Sequence, residues 1–81
     1  MSFVFLLYET VHALCHDTGI WRIATIQKIT PGTTEENTVT ADVAYDGFHG
    51  SKKNRAIKID LKHPESWSIR KAFAPLVHVL G

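Results

Sequence analysis

From Thr38 to Asp46 the chain alternates without a break. Val39, Ala41, Val43 and Tyr45 occupy one parity, and Thr38, Thr40, Asp42, Ala44 and Asp46 the other. Only an extended strand sends successive side chains to opposite faces, so this stretch predicts a β-strand with one buried face. Segment 56–61 repeats the pattern, with Ile57, Ile59 and Leu61 inward and Lys58 and Asp60 outward. Segment 10–16 alternates too, with Val11, Ala13 and Cys15 on one face. Segment 20–30 is rich in Ile and Thr and also reads as a strand, yet Ile23 and Ile26 fall on opposite faces. A bulge or a strong twist would reconcile them.

Turn residues separate these runs. Asp17-Thr18-Gly19 reads as a tight turn, because Asp caps its own backbone and Gly tolerates positive φ. Residues 31–37 and 46–54 read as polar loops. Beyond residue 62 the period changes. His63-Pro64-Glu65 has the form of a helix start, and Ile69, Ala72, Phe73 and Leu76 follow at helical spacing. The pattern predicts a helix over 64–74, ended by Pro75, with Val77–Leu80 as a short last strand. Short strands separated by turns predict a mainly β, small antiparallel barrel with a short C-terminal helix. Val11, Ala13, Ile23, Ile26, Val39, Ala41, Val43, Ile57, Ile59, Leu61, Ile69 and Phe73 are its expected core.

With 81 residues, 44% hydrophobic and 21% charged, the chain reads as one globular domain over 1–81, its barrel at about 10–62. It is too short for a dinucleotide fold or a second domain, and is expected to be a monomeric domain of a larger protein. Cys15 is the one cysteine, so there is no disulfide framework, which suits a reducing compartment. The apolar segment 3–8 is too short to cross a bilayer or serve as a signal peptide. It reads as buried structure of this domain or as a segment that packs on a neighbour, and no membrane partner is expected. The net charge of +1 excludes a partner chosen by bulk charge, but the charge is uneven. Residues 52–71 carry seven basic and two acidic side chains, whereas 1–51 carry two basic and six acidic ones.

Catalytic and metal chemistry find little support. His12 and His16 would share a strand face that Cys15 does not, and no second ligand pair completes a set. Cys15 and His16 are adjacent, so on a strand they point apart and cannot act as nucleophile and base. Ser51, Ser66 and Ser68 lie in no nucleophile elbow, and no phosphate loop is present. No enzyme activity and no cofactor are expected.

Two stretches carry a resemblance. Trp21-Arg22-Ile23-Ala24-Thr25-Ile26 and Tyr45-Asp46-Gly47-Phe48 are similar to the second and third strands of the Royal superfamily of chromatin readers. That superfamily comprises Tudor, chromo-barrel and malignant-brain-tumour domains, which share an SH3-like barrel. A short C-terminal helix fits the chromo-barrel form, and His63-Pro64…Trp67 resembles part of the malignant-brain-tumour repeat. The resemblance spans about residues 10–74. It implies a nuclear, non-enzymatic module that binds a peptide, a methylated histone tail among the options, in an aromatic cage at the barrel mouth. Trp21, Tyr45, Asp46 and Phe48 are the residues it implies for that rim.

The sequence departs from the pattern where Arg22, Ala44 and Cys15-His16 stand at positions usually aromatic, and loop 49–55 adds no aromatic. A degenerate reader serving as a protein-interaction domain therefore stays open. So does DNA or RNA binding through Lys52, Lys53, Arg55 and Lys58 beside Phe48.

Overall fold

A computed structural model of the chain describes residues 5–47 and 53–72. Five antiparallel strands form one sheet: β1 (Thr10–Cys15), β2 (Ile20–Pro31), β3 (Thr38–Tyr45), β4 (Asn54–Asp60) and β5 (Ile69–Lys71). Their order across the sheet is β4-β3-β2-β1-β5. Consecutive strands β1 to β4 pair with one another, and β5 returns to pair with β1. At the β1–β2 turn the Gly19 N–H donates to the Cys15 carbonyl at 2.7 Å, and Gly19 takes φ 71°, which glycine adopts without strain.

The alternation of β3 is realised residue for residue. Val39, Ala41, Val43 and Tyr45 are buried, and so are their inward partners Ile57 and Ile59 on β4 and Ala24 and Ile26 on β2. Val11, Ala13, Cys15 and Ile69 close the interior from β1 and β5. Burying each large aliphatic, Ile26, Ile59 and Ile69 foremost, stabilises the fold by about 1.5–3 kcal/mol. Leu61 packs on this core in part, and Phe73 lies outside the described residues.

Two sequence expectations change. Ile23 is half-buried on the outer face rather than in the core. The bulge of β2 falls between Ile26 and Lys28, where Gln27 is the extra residue, so it brings Ile26 and Ile29 to one face. Ile29 packs against the core and Ile23 keeps its ladder parity.

The expected helix over 64–74 is replaced, within the described residues, by a 3-10 turn at Pro64–Ser66 followed by β5. Pro64 does open a helical turn, but Trp67 is already extended, with φ −67° and ψ 136°. Leu14 N–H then donates to the Ser68 carbonyl at 2.9 Å, and Ile69 sits opposite Ala13. A marginal short helix loses to a ladder that satisfies the otherwise open edge of β1. The Trp67 indole donates to the Asp60 carbonyl at 2.7 Å and ties this turn to β4. Positions 73–74 of the expected helix and the expected strand at 77–80 lie outside the described residues.

The apolar N-terminal segment divides. Phe5 enters the core beside Trp67, with ring centroids 6.2 Å apart. Leu6, Leu7 and Tyr8 turn outward and are exposed, closed by a Glu9 N–H to Leu6 carbonyl bond of 3.1 Å. Glu9 is held by Lys71 Nζ at 2.8 Å. Burial acts to raise its pKa, but hydrogen bonds from Lys71 and the Leu6 N–H and the Lys71 charge together hold it below its usual value. Among the described residues no helix is long and apolar enough to cross a membrane.

Candidate functional site

The ladder fixes where each sequence-derived rim residue goes. Tyr45 pairs with Ala24 on the inner face. Only 3% of it is exposed, and its hydroxyl donates to the Leu14 carbonyl at 2.9 Å. Trp21 pairs with Leu14, three residues from Ala24 on an unbroken ladder, so it stands on the outer face. Tyr45 and Trp21 are therefore on opposite sides of the sheet. Asp46 follows Tyr45 in an exposed turn anchored by its N–H to the Ile23 carbonyl at 2.9 Å. Phe48 lies outside the described residues.

Trp21 and Asp46 border the same shallow depression of about 520 Å³, with Ile20, Arg22, Ile23 and Gly47. Ile20 is 56% exposed at its edge. Arg70 of β5 lies over the Trp21 ring, its guanidinium carbon 4.1 Å from the ring centroid. Arg70 stands opposite His12 in the β1–β5 ladder, and His12 stands opposite Ile23 in the β1–β2 ladder. The outer face of β5-β1-β2 thus gathers Arg70, His12, Leu14, Trp21 and Ile23. Sequence reasoning missed Arg70 at this site, because its segment read as a helix; once β5 is known, ladder register puts Arg70 on the same sheet face as Trp21, in the row of His12 and Ile23.

The basic residues proposed for nucleic acid are scattered. Arg55 faces inward opposite Val43. Its Nη1 donates to the Leu14 carbonyl and, at 3.5 Å, to the Tyr45 hydroxyl. Its Nη2 lies 2.8 Å from His16 Nδ1 and 2.9 Å from Nε2, against the imidazole. This side chain braces β4 against the end of β1 and draws the two non-neighbouring strands together. Lys58 pairs with Glu36 at 3.2 Å. Lys53 lines a different depression with Gln27, Asp42 and Asn54. Lys52 lies outside the described residues.

Around these sites the titratable groups are locally satisfied. The Thr18 hydroxyl holds the Cys15 thiol below its usual pKa, aided by the Thr18 and Asp17 N–H groups and opposed by burial. His63 Nδ1 and Asp60 Oδ2 are 2.9 Å apart; the contact raises the His63 pKa and lowers that of Asp60. Among the described residues no group of three or more His, Cys, Asp or Glu side chains is placed to hold a metal ion.

Set against known proteins, the chain matches no family model, no curated protein and no solved structure.

Proposed function

We propose that this domain is a non-enzymatic peptide-binding module of an SH3-like barrel, a degenerate relative of the Tudor and chromo-barrel readers in a chromatin-associated nuclear protein. Its partner docks on the Ile20, Trp21 and Asp46 depression and does not depend on a methyl-lysine cage. The observation that carries this reading is the placement of Tyr45. A ring that is buried, tied by its hydroxyl to Leu14 and separated from Trp21 by the sheet cannot share a cage with it. What remains is a depression of apolar side chains bordered by one carboxylate, Asp46, and one guanidinium, Arg22, a surface suited to a protein segment. Five antiparallel strands, with a 3-10 turn before a last strand that returns to the first, support the barrel assignment.

Nucleic acid ranks lower because affinity for it grows with the number of phosphates neutralised. Arg55 and Lys58 are already engaged within the domain. The test is an amide-shift titration with a histone-tail peptide, unmodified and trimethylated, and then with a short DNA duplex. Saturable shifts at Ile20, Trp21, Asp46 and Gly47, indifferent to methylation, are expected. Binding that requires the methyl groups, or a duplex affinity that falls steeply with salt, refutes the reading.

A further inference from the structure

We infer that the outer face of β5-β1-β2 reads a carboxylate on the docked segment, through the guanidinium of Arg70 held on Trp21 and the imidazole of His12 beside it, so that the partner is an acidic peptide. The inference rests on the peptide-docking reading above and names the chemistry of its ligand.

Arg70 is exposed, and its guanidinium lies 4.1 Å from the centre of the Trp21 ring. A guanidinium lying on an aromatic ring keeps its N–H donors free at its edge while the ring limits its rotamers. That is the arrangement which accepts a carboxylate through two parallel hydrogen bonds with little ordering left to do. Of the other described cations of the C-terminal half, Lys71 is held by Glu9, Lys58 by Glu36, Arg55 is turned inward, and Lys53 and Lys62 are exposed at the two ends of β4, without an aromatic support. Among the described residues Arg70 makes no ion pair with a carboxylate. His12, directly opposite it in the ladder, adds an imidazole able to donate one N–H to the same anion. Leu14, Trp21 and Ile23 supply a half-buried apolar floor beside the pair. A single carboxylate flanked by aliphatic side chains complements this combination. A polyphosphate does not, because one stacked arginine and one imidazole neutralise too few phosphates.

The probe is an acetylated, amidated peptide of alternating Glu and Leu, compared with its Gln-for-Glu counterpart. The reporters are the Arg70 side-chain Nε–H and Trp21 indole N–H resonances. Saturable shifts of both with the Glu peptide, and at least tenfold weaker binding of the Gln peptide, are expected. Arg70→Lys keeps the charge but loses the planar fork and is expected to weaken the Glu peptide about tenfold; Arg70→Gln is expected to bring it to the level of the Gln peptide. Thermal unfolding of each variant, measured alongside, identifies any loss that comes from the fold. Equal binding of the two peptides, or shifts confined to Ile20, Asp46 and Gly47 with Arg70 unmoved, overturns the carboxylate assignment and leaves the docking reading in place. Failure of both peptides and of the histone-tail peptides removes the docking reading as well. Tighter binding of a single-stranded oligonucleotide that shifts the same two reporters replaces the peptide with nucleic acid.

Discussion

Truncating Tyr45 separates the two roles an aromatic can play at the end of a sheet strand. Its side chain is 3% exposed, so nearly all of its surface is removed from water. An aromatic of this kind buries about 150–250 Å². At about 25 cal/mol per Å² that is about 4–6 kcal/mol, an upper figure because unfolded chains are themselves partly compact. Aromatic-to-alanine changes in cores cost about 3–5 kcal/mol, and Tyr45→Ala is expected in that range. For 81 residues the unfolding entropy is about 0.17 kcal/mol per degree, so the midpoint falls by about 20–30 °C.

Tyr45→Phe keeps the ring and removes only the hydroxyl. The Leu14 carbonyl still accepts from Arg55, so no acceptor is orphaned and the cost is about 0.5–1.5 kcal/mol. Thermal and urea unfolding measure both changes, and peptide affinity measured on Tyr45→Phe is expected to be unaltered. A Tyr45→Ala protein that melts within a few degrees of the parent but no longer binds peptide would place the ring on the rim and refute the argument.

Three further outcomes follow from the geometry. A Cβ at Gly32 would lie 2.9 Å from the Thr38 carbonyl oxygen and collide with its hydroxyl, in a hairpin already closed by the Gly32 N–H at 2.8 Å. Gly32→Ala is therefore expected to destabilise by about 1–3 kcal/mol in urea unfolding, and a neutral result would mean that the two strands separate freely there. Glu9, Glu36 and Asp60 all have depressed pKa values, so their contribution is present above the ordinary carboxylate range and is lost as pH falls through the lower folded values. Glu9→Gln is expected to flatten that acid limb more than Glu36→Gln, since the Glu9 side chain is 20% exposed and that of Glu36 50%; equal slopes in urea unfolding between about pH 5 and pH 2 would count against it. His63 has the opposite sign: its raised pKa gives stability that is present below its usual 6.5 and disappears as pH rises through the higher folded value, a dependence that Asp60→Asn should remove.

Strands β3 and β4 were legible because period-two alternation has one structural solution when one face is buried. Phe5 was not, because a short apolar run carries no parity that tells its buried residue from its exposed ones. The position of the β2 bulge was also hidden. Ile23, Ile26 and Ile29 recur every three residues, and one extra residue reconciles either adjacent pair but not all three. Ile69, Ala72 and Phe73 have helical spacing, yet Ile69 anchors β5 against Ala13. The deciding quantity was the open edge of β1, which belongs to tertiary structure and not to the local segment.

The same parity argument decides where a ligand can be met. Trp21 and Ala24 are three residues apart on a ladder with no bulge between them, and Ala24 is the partner of Tyr45. The two aromatics must then face opposite sides, whatever the rotamers. Bringing them together would need a second bulge between residues 21 and 24, and that would expose Ala24 or turn Arg22 away from its place opposite Ala13. An aromatic on the solvent side must find other company, and Arg70 supplies it from the strand that sequence spacing concealed. Lys58, Lys71 and Arg55 are engaged within the domain, whereas Lys53 and Lys62 are exposed at the two ends of β4, away from this face. A stacked guanidinium with no carboxylate of its own among the described residues then becomes the feature a partner on this face must satisfy.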